Sequence, residues 1–329
     1  MRIVLVVLMF VCLANCCTSN TWDESLPNMP KATGEVAGAV IGDAMYLAGE
    51  DNTETFKFDF KTNKWSTVAS RIHAGNHNSA HVIDGLWYIV GGIDANSYGT
   101  VQIYNTKTDT WKEGKTMPWD GGSVCSAYID GYIYACGGVQ GFEDGHRRGG
   151  TNTTAQCGKY DVATNSWTYM KSMPYGRNHA ATTSEGEKMW VFGGRMGRNV
   201  PSNGFNTVQV YDPKTDKWET SEDPGSKLAP FPQERGGMGT ARYAKNANGV
   251  GEFYIFGGET ETGKNATSNF VYSRVDIYNP STNSWRSGKN MPLPRHGIYP
   301  LLYQGKLYIG GGGIHHGYST TDHFDSYCI

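Results

Sequence analysis

The sequence predicts an all-β fold, a six-bladed β-propeller of four-stranded blades whose last blade is completed by an N-terminal strand. A glycine-ended hairpin phrase occurs six times, and an aromatic-rich strand followed by a tryptophan occurs five times. The 329 residues also include 43 glycines, 20 tyrosines and 9 tryptophans, and such a composition is typical of many-stranded β proteins. No window carries a sustained apolar face at helical spacing, so we expect no substantial helix.

The hairpin phrase is an alternating strand, a tight turn and a second strand that ends in glycine. Asp84-Gly85 and Asp130-Gly131 mark two of these turns, because both positions of such a turn need positive φ. The six copies are AVIGDAMYLAG (39–49), AHVIDGLWYIVGG (80–92), SAYIDGYIYACGG (126–138), SEGEKMWVFGG (184–194), GEFYIFGG (251–258) and LLYQGKLYIGGGG (301–313).

The second phrase predicts the outer half of each blade: an aromatic-ended third strand, a polar turn and a tryptophan that begins a fourth strand. VQIYNTKTDTW and VQVYDPKTDKW are two of its copies. The tryptophans lie 46 to 67 residues apart, near the repeat length of four-stranded propeller blades, and they are Trp65, Trp111, Trp167, Trp218 and Trp285.

These elements resemble the kelch family, which combines paired glycines, Tyr with Asp or Asn, Trp, and Met-Pro as in Met117-Pro118, Met173-Pro174 and Met291-Pro292. The resemblance covers nearly the whole chain and implies a kelch propeller. The first repeat departs from the pattern with Gly49-Glu50, and the fifth hairpin carries an insertion at Ala244–Glu252.

Six glycine phrases with five tryptophans leave the sixth blade one strand short. Thr21-Trp22 with Met29-Pro30 reads as the missing fourth strand, and Thr321–Asp325 matches the third-strand phrase. We therefore expect the two ends of the chain to pair and to cover edges that would otherwise be exposed.

The first 14 residues read as a signal peptide, which leaves residues 15–329 as a single propeller. Arg2 precedes the apolar run Ile3–Leu13, which is too short to span a bilayer but suits a signal-peptide core. Leu13-Ala14-Asn15-Cys16 is a poor match to a lipoprotein box, and cleavage a few residues later is an alternative. No later apolar run reaches 18 residues, so we expect a secreted protein without a membrane span.

Six cysteines then remain, and an even number in an oxidising compartment indicates disulfides. Cys328 is expected just past the third strand of the last blade and Cys16 and Cys17 just before its fourth. A bridge between these ends would stabilise the fold by roughly 4–5 kcal/mol in the loop-entropy model. Within the third blade, Cys125 and Cys136 lie opposite each other at a hydrogen-bonded pair, so Cys157 on the next strand competes for the bond. Asn152 and Asn265 begin two glycosylation sequons.

The formal net charge is −2, and no basic run stands out beyond His146-Arg147-Arg148. This charge makes nucleic acid and anionic membrane unfavourable partners.

Candidate ligand-binding residues lie where the innermost strands begin. Counting back 14 positions from the first glycine of each phrase places His77, His179 and His296 in one ring with Glu35 and Ser123, next to the central channel. Four arginines accompany them and are expected to line the same funnel: Arg71, Arg177, Arg235 and Arg295. The favoured interpretation of the histidines is structural, followed by a ligand-binding funnel. A three-histidine metal site for zinc or copper is the weakest of the three.

Enzyme templates match poorly. The copper-radical oxidases related to galactose oxidase have seven blades and a Tyr-His ligand pair, which this chain lacks. The iron motif of the plant specifier proteins is also missing. The resemblance to the six-bladed bacterial sialic-acid anomerases implies a sugar acid held by arginines, for which Arg177, Arg235 and Arg295 are available.

We therefore expect a secreted, monomeric kelch propeller that needs no cofactor and binds an extracellular protein or carbohydrate through its funnel. The alternative is a small enzyme acting on a sugar or sugar acid there, as an anomerase or epimerase or, less favoured, as a metal-dependent oxidase.

Overall fold

The computed structural model describes residues 17–50, 52–93, 97–140, 142–143, 146–147, 153–197, 204–260 and 266–329. These residues form six four-stranded antiparallel sheets and one two-stranded hairpin, and they contain no helix. No helix of the described residues is therefore available to cross a membrane. The predicted signal peptide, Cys16 and both sequon asparagines lie outside the described residues.

In the first five blades, four consecutive strands follow one another from the channel outwards. In the last blade the outermost strand comes from the start of the chain. The first three blades are β2 (Ala37–Ile41), β3 (Ala44–Ala48), β4 (Thr55–Asp59) and β5 (Lys64–Val68); β6 (Ser79–Ile83), β7 (Leu86–Val90), β8 (Val101–Asn105) and β9 (Thr110–Gly114); and β10 (Cys125–Ile129), β11 (Tyr132–Cys136), β14 (Cys157–Asp161) and β15 (Ser166–Met170). The small hairpin of β12 (Phe142–Glu143) and β13 (His146–Arg147) lies between β11 and β14 in the chain.

The last three blades are β16 (Ala181–Glu185), β17 (Lys188–Phe192), β18 (Val208–Asp212) and β19 (Lys217–Thr220); β20 (Arg242–Lys245), β21 (Gly251–Phe256), β22 (Val275–Asn279) and β23 (Ser284–Ser287); and β24 (Leu301–Tyr303), β25 (Lys306–Gly310), β26 (Phe324–Cys328) and β1 (Thr21–Asp23). The prediction of six four-stranded blades is confirmed. The expected Asp-Gly turns are also present, with positive φ at Asp84, Gly85, Asp130 and Gly131.

The ring closes as the sequence predicts, because β1 pairs antiparallel with β26 and becomes the outer strand of the sixth blade. Trp22 packs against Tyr327 in its own blade and against Phe256 in the fifth. One prediction was wrong in detail. The third strand covers Phe324–Cys328 rather than Thr321–Asp325, so Cys328 ends the strand instead of lying past it. The reason is that Gly310 pairs with Phe324, which shifts the start of the strand by three residues.

One tryptophan per blade also joins neighbouring blades through its indole N–H. Each Nε1 donates a hydrogen bond to a backbone carbonyl that follows the outer strand of the preceding blade. The six pairs are Trp22 with Lys289, Trp65 with Pro27, Trp111 with Ala69, Trp167 with Lys115, Trp218 with Lys171 and Trp285 with Ala229, at 2.7–3.3 Å.

Two pairs of the described cysteines lie at disulfide distance. Cys17 joins Cys328 across 311 residues of sequence, which is the predicted bond between the chain ends. In the third blade Cys136 joins Cys157 rather than Cys125. All three cysteines share one register, since Cys136 lies opposite Cys125 on one side and opposite Cys157 on the other.

The pairing in the third blade follows from strand geometry. The Cα atoms of Cys136 and Cys157 are 4.1 Å apart, which is typical of a pair that exchanges no backbone hydrogen bonds. Cys125 and Cys136 on the other side form a hydrogen-bonded pair, a type whose Cα atoms are ordinarily further apart. Cys125 stays a buried thiol, and burial raises its pKa to about 11.

Candidate functional site

The innermost strands surround a channel with a cavity at each mouth. The cavity at the end where these strands begin has a volume of about 440 Å³ and is called the loop-side cavity, because the loops after β7, β17, β21 and β25 reach it. A second cavity of about 380 Å³, the hairpin-side cavity, lies at the opposite mouth. A constriction of about 20 Å³ is lined by His77, Ser123 and His179.

The predicted ring of equivalent residues is present, with one correction. Glu35, His77, Ser123 and His179 all have positive φ, between 44° and 56°. The fifth and sixth members are Gly237 and Gly297, with φ of 72° and 58°. Backbone hydrogen bonds from the next blade, such as Ser123 N–H to His77 O and Gly237 N–H to His179 O, link these positions around the channel.

The count from the glycines predicts that His296 is equivalent to His77 and His179. This prediction is wrong. His296 pairs with Gly313, just as Asn76 pairs with Ile93 and Asn178 with Arg195. The count failed in the run of four glycines. Gly311, rather than Gly310, has the hydrogen-bonding position that Gly91 has in the second blade, so His296 lies one residue before the ring.

His77 and His179 contact each other at the floor of the loop-side cavity. Their rings meet edge to face at an interplanar angle of 65°, with centroids 4.2 Å apart. His77 Nε2 lies 2.9 Å from a carboxylate oxygen of Glu35, and its Nδ1 lies 2.6 Å from the side-chain oxygen of Asn76. Both ring nitrogens of His77 are thus held in place while part of the ring stays accessible from the cavity.

His296 lies beneath this pair and is fully buried. Its Nδ1 is 2.9 Å from Glu35 Oε1 and 3.8 Å from Glu259 Oε2, and its Nε2 is 2.7 Å from the backbone oxygen of His315. Burial alone would lower the pKa of His296, but the carboxylates of Glu259 and Glu35 outweigh it and raise the pKa to about 9. His296 is therefore a buried cation at neutral pH.

The two carboxylates respond in the opposite direction. Burial would raise the pKa of Glu35, but His77 and His296 hold it well below its ordinary value. Burial would likewise raise the pKa of Glu259, yet His296 and Arg195 lower it. Arg195 forms an ion pair with Glu259, so two anions and two cations balance at the base of the cavity. We call Glu35, His77, Arg195, Glu259 and His296 the His-Glu network.

A glycine leaves the room that Glu35 needs. A Cβ atom at Gly297 would lie 2.3–2.7 Å from the carboxylate oxygens of Glu35. Gly297 also has a φ of 58°, which side chains rarely adopt. The sixth blade therefore contributes a gap to the ring in place of a side chain.

The four predicted arginines do not reach the funnel surface. Each is at most 2% exposed. Their guanidinium groups satisfy backbone carbonyls within the blades instead: Arg71 donates to four of them and Arg177 to that of Gly193. Arg235 and Arg295 in addition form buried ion pairs with Asp276 and Asp325. Loop carbonyls left without a strand partner need such donors, and this need explains their positions.

The histidines do not converge on a common point either. His77 and His179 contact each other, whereas His296 turns toward Glu35 and Glu259. In the part of the chain that the structure describes, no group of three or more His, Cys, Asp or Glu side chains has a geometry that could hold a metal ion.

Sequence reasoning missed two members of the network, Arg195 and Glu259. Each follows directly after a glycine pair, at the position that Ile93 and Val139 have in other blades. A count forward from the glycines would have found them. His316 and Tyr318 complete the rim of the loop-side cavity, and Tyr318 is 80% exposed.

Comparisons with known proteins agree with this architecture. A family model described as "Kelch motif" matches residues 74–118, 176–225 and 251–292. The kelch-like protein terF of Aspergillus terreus is 29% identical over 87% of this chain, which spans 62% of that relative's length. An N-acetylneuraminate epimerase of Escherichia coli is 26% identical over 90% of each protein.

A solved structure, "Structure of YjhT", has the same fold, with a TM-score of 0.71 and 20% sequence identity over 90% of this chain and 95% of that one. Kelch motifs therefore occur in the second, fourth and fifth blades of this six-bladed β-propeller.

Proposed function

We propose that the protein binds a carbohydrate in the loop-side cavity. The observation that carries this proposal is the charge-balanced His-Glu network at the base of a 440 Å³ recess. A cavity of this size suits a small ligand. Because the buried charges already neutralise one another, the network favours a ligand with many hydrogen-bonding hydroxyl groups over a strongly charged one. Kelch repeats typically mediate protein binding, so a protein partner on the same face is the alternative.

The proposal includes secretion. It is supported by the apolar run after Arg2 and by the two cysteine pairs at disulfide distance, because disulfides persist in oxidising compartments. Exposure of the two sequons in an extracellular protein would also permit glycosylation.

A second candidate function is the interconversion of sugar anomers in the same cavity. The match to the Escherichia coli N-acetylneuraminate epimerase over 90% of both proteins favours it. In such a reaction a base takes the proton of the anomeric hydroxyl while an acid protonates the ring oxygen, and the ring C–O bond breaks. The ring then closes on the other face of the carbonyl. His77 and His179, which line the cavity, would supply the acid and the base, and His296 would position Glu35 behind them.

The test is a titration of purified protein with monosaccharides, including N-acetylneuraminate, by ligand-observed NMR and calorimetry. The variant is His77→Asn, because asparagine tolerates positive φ but cannot reach Glu35 in the same way. We expect sugar affinity to fall about tenfold or more, as for the loss of a charged hydrogen bond. The matched control is His73→Asn, since His73 forms a similar pair with Glu113 on the outer surface.

Equal sugar affinity in wild type and His77→Asn would overturn the proposed site. If no sugar binds to the wild type, the protein-partner alternative replaces the carbohydrate. Exchange NMR on the bound sugar separates binding from catalysis, because only an anomerase accelerates the exchange between the two anomers, and His77→Asn would slow that exchange.

A further inference from the structure

The hairpin-side cavity, at the mouth opposite the proposed carbohydrate site, is lined by residues of all six blades. Its wall is formed by the middle residues of the innermost strands. Five of these residues carry hydroxyl groups on small side chains: Ser126, Thr182, Thr183, Ser184 and Thr240. The cavity is therefore concave, combines these hydroxyl groups with apolar side chains, and is about 380 Å³ in volume, which is sufficient for a small ligand.

Arg242 supplies a positive charge to this wall. Its Nε donates to the backbone oxygen of Pro300, and its guanidinium carbon lies 4.9 Å from the centre of the Tyr299 ring. Among the described residues no carboxylate forms an ion pair with it. The contrast is with Arg195, Arg235 and Arg295, each of which has a carboxylate partner.

No second cation among the described residues shares this wall. His81 is the other basic residue there, and its Nε2 lies 2.7 Å from the Ser126 hydroxyl. Burial, together with the charge of Arg242, lowers the pKa of His81 to about 3, so this imidazole is neutral at physiological pH. Glu185, at the outer end of β16, hydrogen-bonds to Tyr243 instead of to Arg242.

A partly buried guanidinium without a counter-ion is unfavourable. Burial lowers the pKa of Arg242 and outweighs the opposing effect of the Tyr299 side chain. The guanidinium fork matches two oxygens of a carboxylate or phosphate, and neutral hydroxyl and imidazole groups beside it supply further hydrogen bonds without adding charge.

We propose that the hairpin-side cavity binds a small oxyanion, with Arg242 as its counter-charge and with the His81–Ser126 pair and the neighbouring threonine hydroxyls as further partners. This site is separate from the loop-side cavity and does not depend on the carbohydrate proposal. The two mouths would then hold two chemically different ligands, separated by the His77–His179 constriction.

The experiment measures thermal unfolding with increasing acetate or inorganic phosphate, against sodium chloride at matched ionic strength. A ligand that binds only the folded state raises the unfolding temperature with a saturable concentration dependence. We expect such a response for at least one of the two anions, and comparison of the two distinguishes a carboxylate site from a phosphate site. In Arg242→Gln we expect binding of that anion to be at least about tenfold weaker.

Two further variants keep the outcome decisive. Val82→Trp adds bulk at a cavity-lining residue that is 40% exposed, so it blocks the cavity and leaves Arg242 in place. It should also abolish the response. Arg286→Gln removes an arginine of the outer surface that pairs with Glu252, and it should bind the anion as wild type does. No saturable response in wild type, or an equal response in Arg242→Gln or Val82→Trp, would overturn the proposal.

Discussion

At the scale of single residues, the four predicted arginines differ from the histidines in the groups that they contact. The four predicted arginines donate hydrogen bonds to backbone carbonyls or pair with aspartates, whereas the histidines contact the cavity or its buried carboxylates. The charge at the loop-side mouth therefore depends on three linked ion pairs, which join Glu35 to His296, His296 to Glu259 and Glu259 to Arg195. Two predictions follow from these buried charges.

The first concerns the pH dependence of stability. The pKa of His296 rises from 6.5 to about 9 on folding, which corresponds to about 3 kcal/mol. A raised pKa means that this contribution is fully present below pH 6.5 and is lost as the pH rises through 9. The pKa of Glu35 is lowered from 4.5, so its contribution is present above pH 4.5 and is lost as the pH falls further. Together they stabilise the fold most between pH 4.5 and 6.5.

Glu35→Gln tests this assignment. We expect the pKa of His296 to fall and the loss of stability between pH 6.5 and 9 to become smaller, because one of its two carboxylate neighbours is gone. Histidine NMR titration and urea unfolding at several pH values measure the two effects. Glu54→Gln, which removes an exposed carboxylate paired with Lys31, serves as the control. An unchanged His296 titration in Glu35→Gln would contradict the assignment.

The second residue-scale prediction concerns Arg295. Replacement by methionine leaves the buried Asp325 carboxylate with His323 as its remaining partner and removes the donor from several carbonyls. We expect the free energy of unfolding to fall by about 3–5 kcal/mol, measured by urea denaturation. Lys214→Met, at an exposed ion pair with Glu187, should change it little. Wild-type stability in Arg295→Met combined with altered sugar binding would restore the funnel role for this arginine.

At the scale of elements, the third blade carries a covalent link between its middle strands. Cys136 on β11 and Cys157 on β14 are bonded, while Cys125 on β10 lies in the same register with a free, buried thiol. Adjacent strands alternate between close and wide pairs, so a central strand offers a close pair on only one side at each position. This alternation explains why Cys136 bonds to Cys157 rather than to Cys125, although both lie opposite it.

The prediction at this scale is that Cys136 and Cys157 replaced together by alanine lower the free energy of unfolding by about 3 kcal/mol, as expected for a closed loop of this length. Cys125→Ala should cost about 1 kcal/mol, because it removes only a small buried group. Non-reducing peptide mapping should show the Cys136–Cys157 peptide, with Cys125 alkylated only after unfolding. A Cys125–Cys136 peptide would contradict the assignment.

At the scale of the whole molecule, the ring is held closed by one short strand. β1 has three residues, yet it joins the chain ends through pairing with β26, through the packing of Trp22 and through the Cys17–Cys328 bond. A propeller without this closure would expose the edge of β26. The closure therefore affects the stability of all six blades together.

Cys17→Ser should accordingly reduce the free energy of unfolding by about 5 kcal/mol, since the bond closes almost the entire chain. Cys17→Ser and the Cys136/Cys157 double variant should differ in the exposure of Trp22. Loss of the end-to-end bond should expose Trp22, which is detectable as increased fluorescence quenching by acrylamide, while loss of the internal bond leaves Trp22 protected. Unchanged quenching in Cys17→Ser would show that strand pairing alone keeps the ring closed.

The sequence by itself determined the all-β class, the six blades, the Asp-Gly turns, the inner positions of His77 and His179 and the union of the chain ends. These features depend on local signals, namely turn chemistry and strand alternation, and on their repetition along the chain. Only the tertiary structure decided that the four arginines are buried, that His296 lies one residue before the ring, that Cys136 bonds to Cys157, and that Arg195 and Glu259 join Glu35. Burial and ion pairing depend on side chains brought together from different blades. A local sequence pattern does not predict which loop carbonyls or carboxylates a side chain will contact.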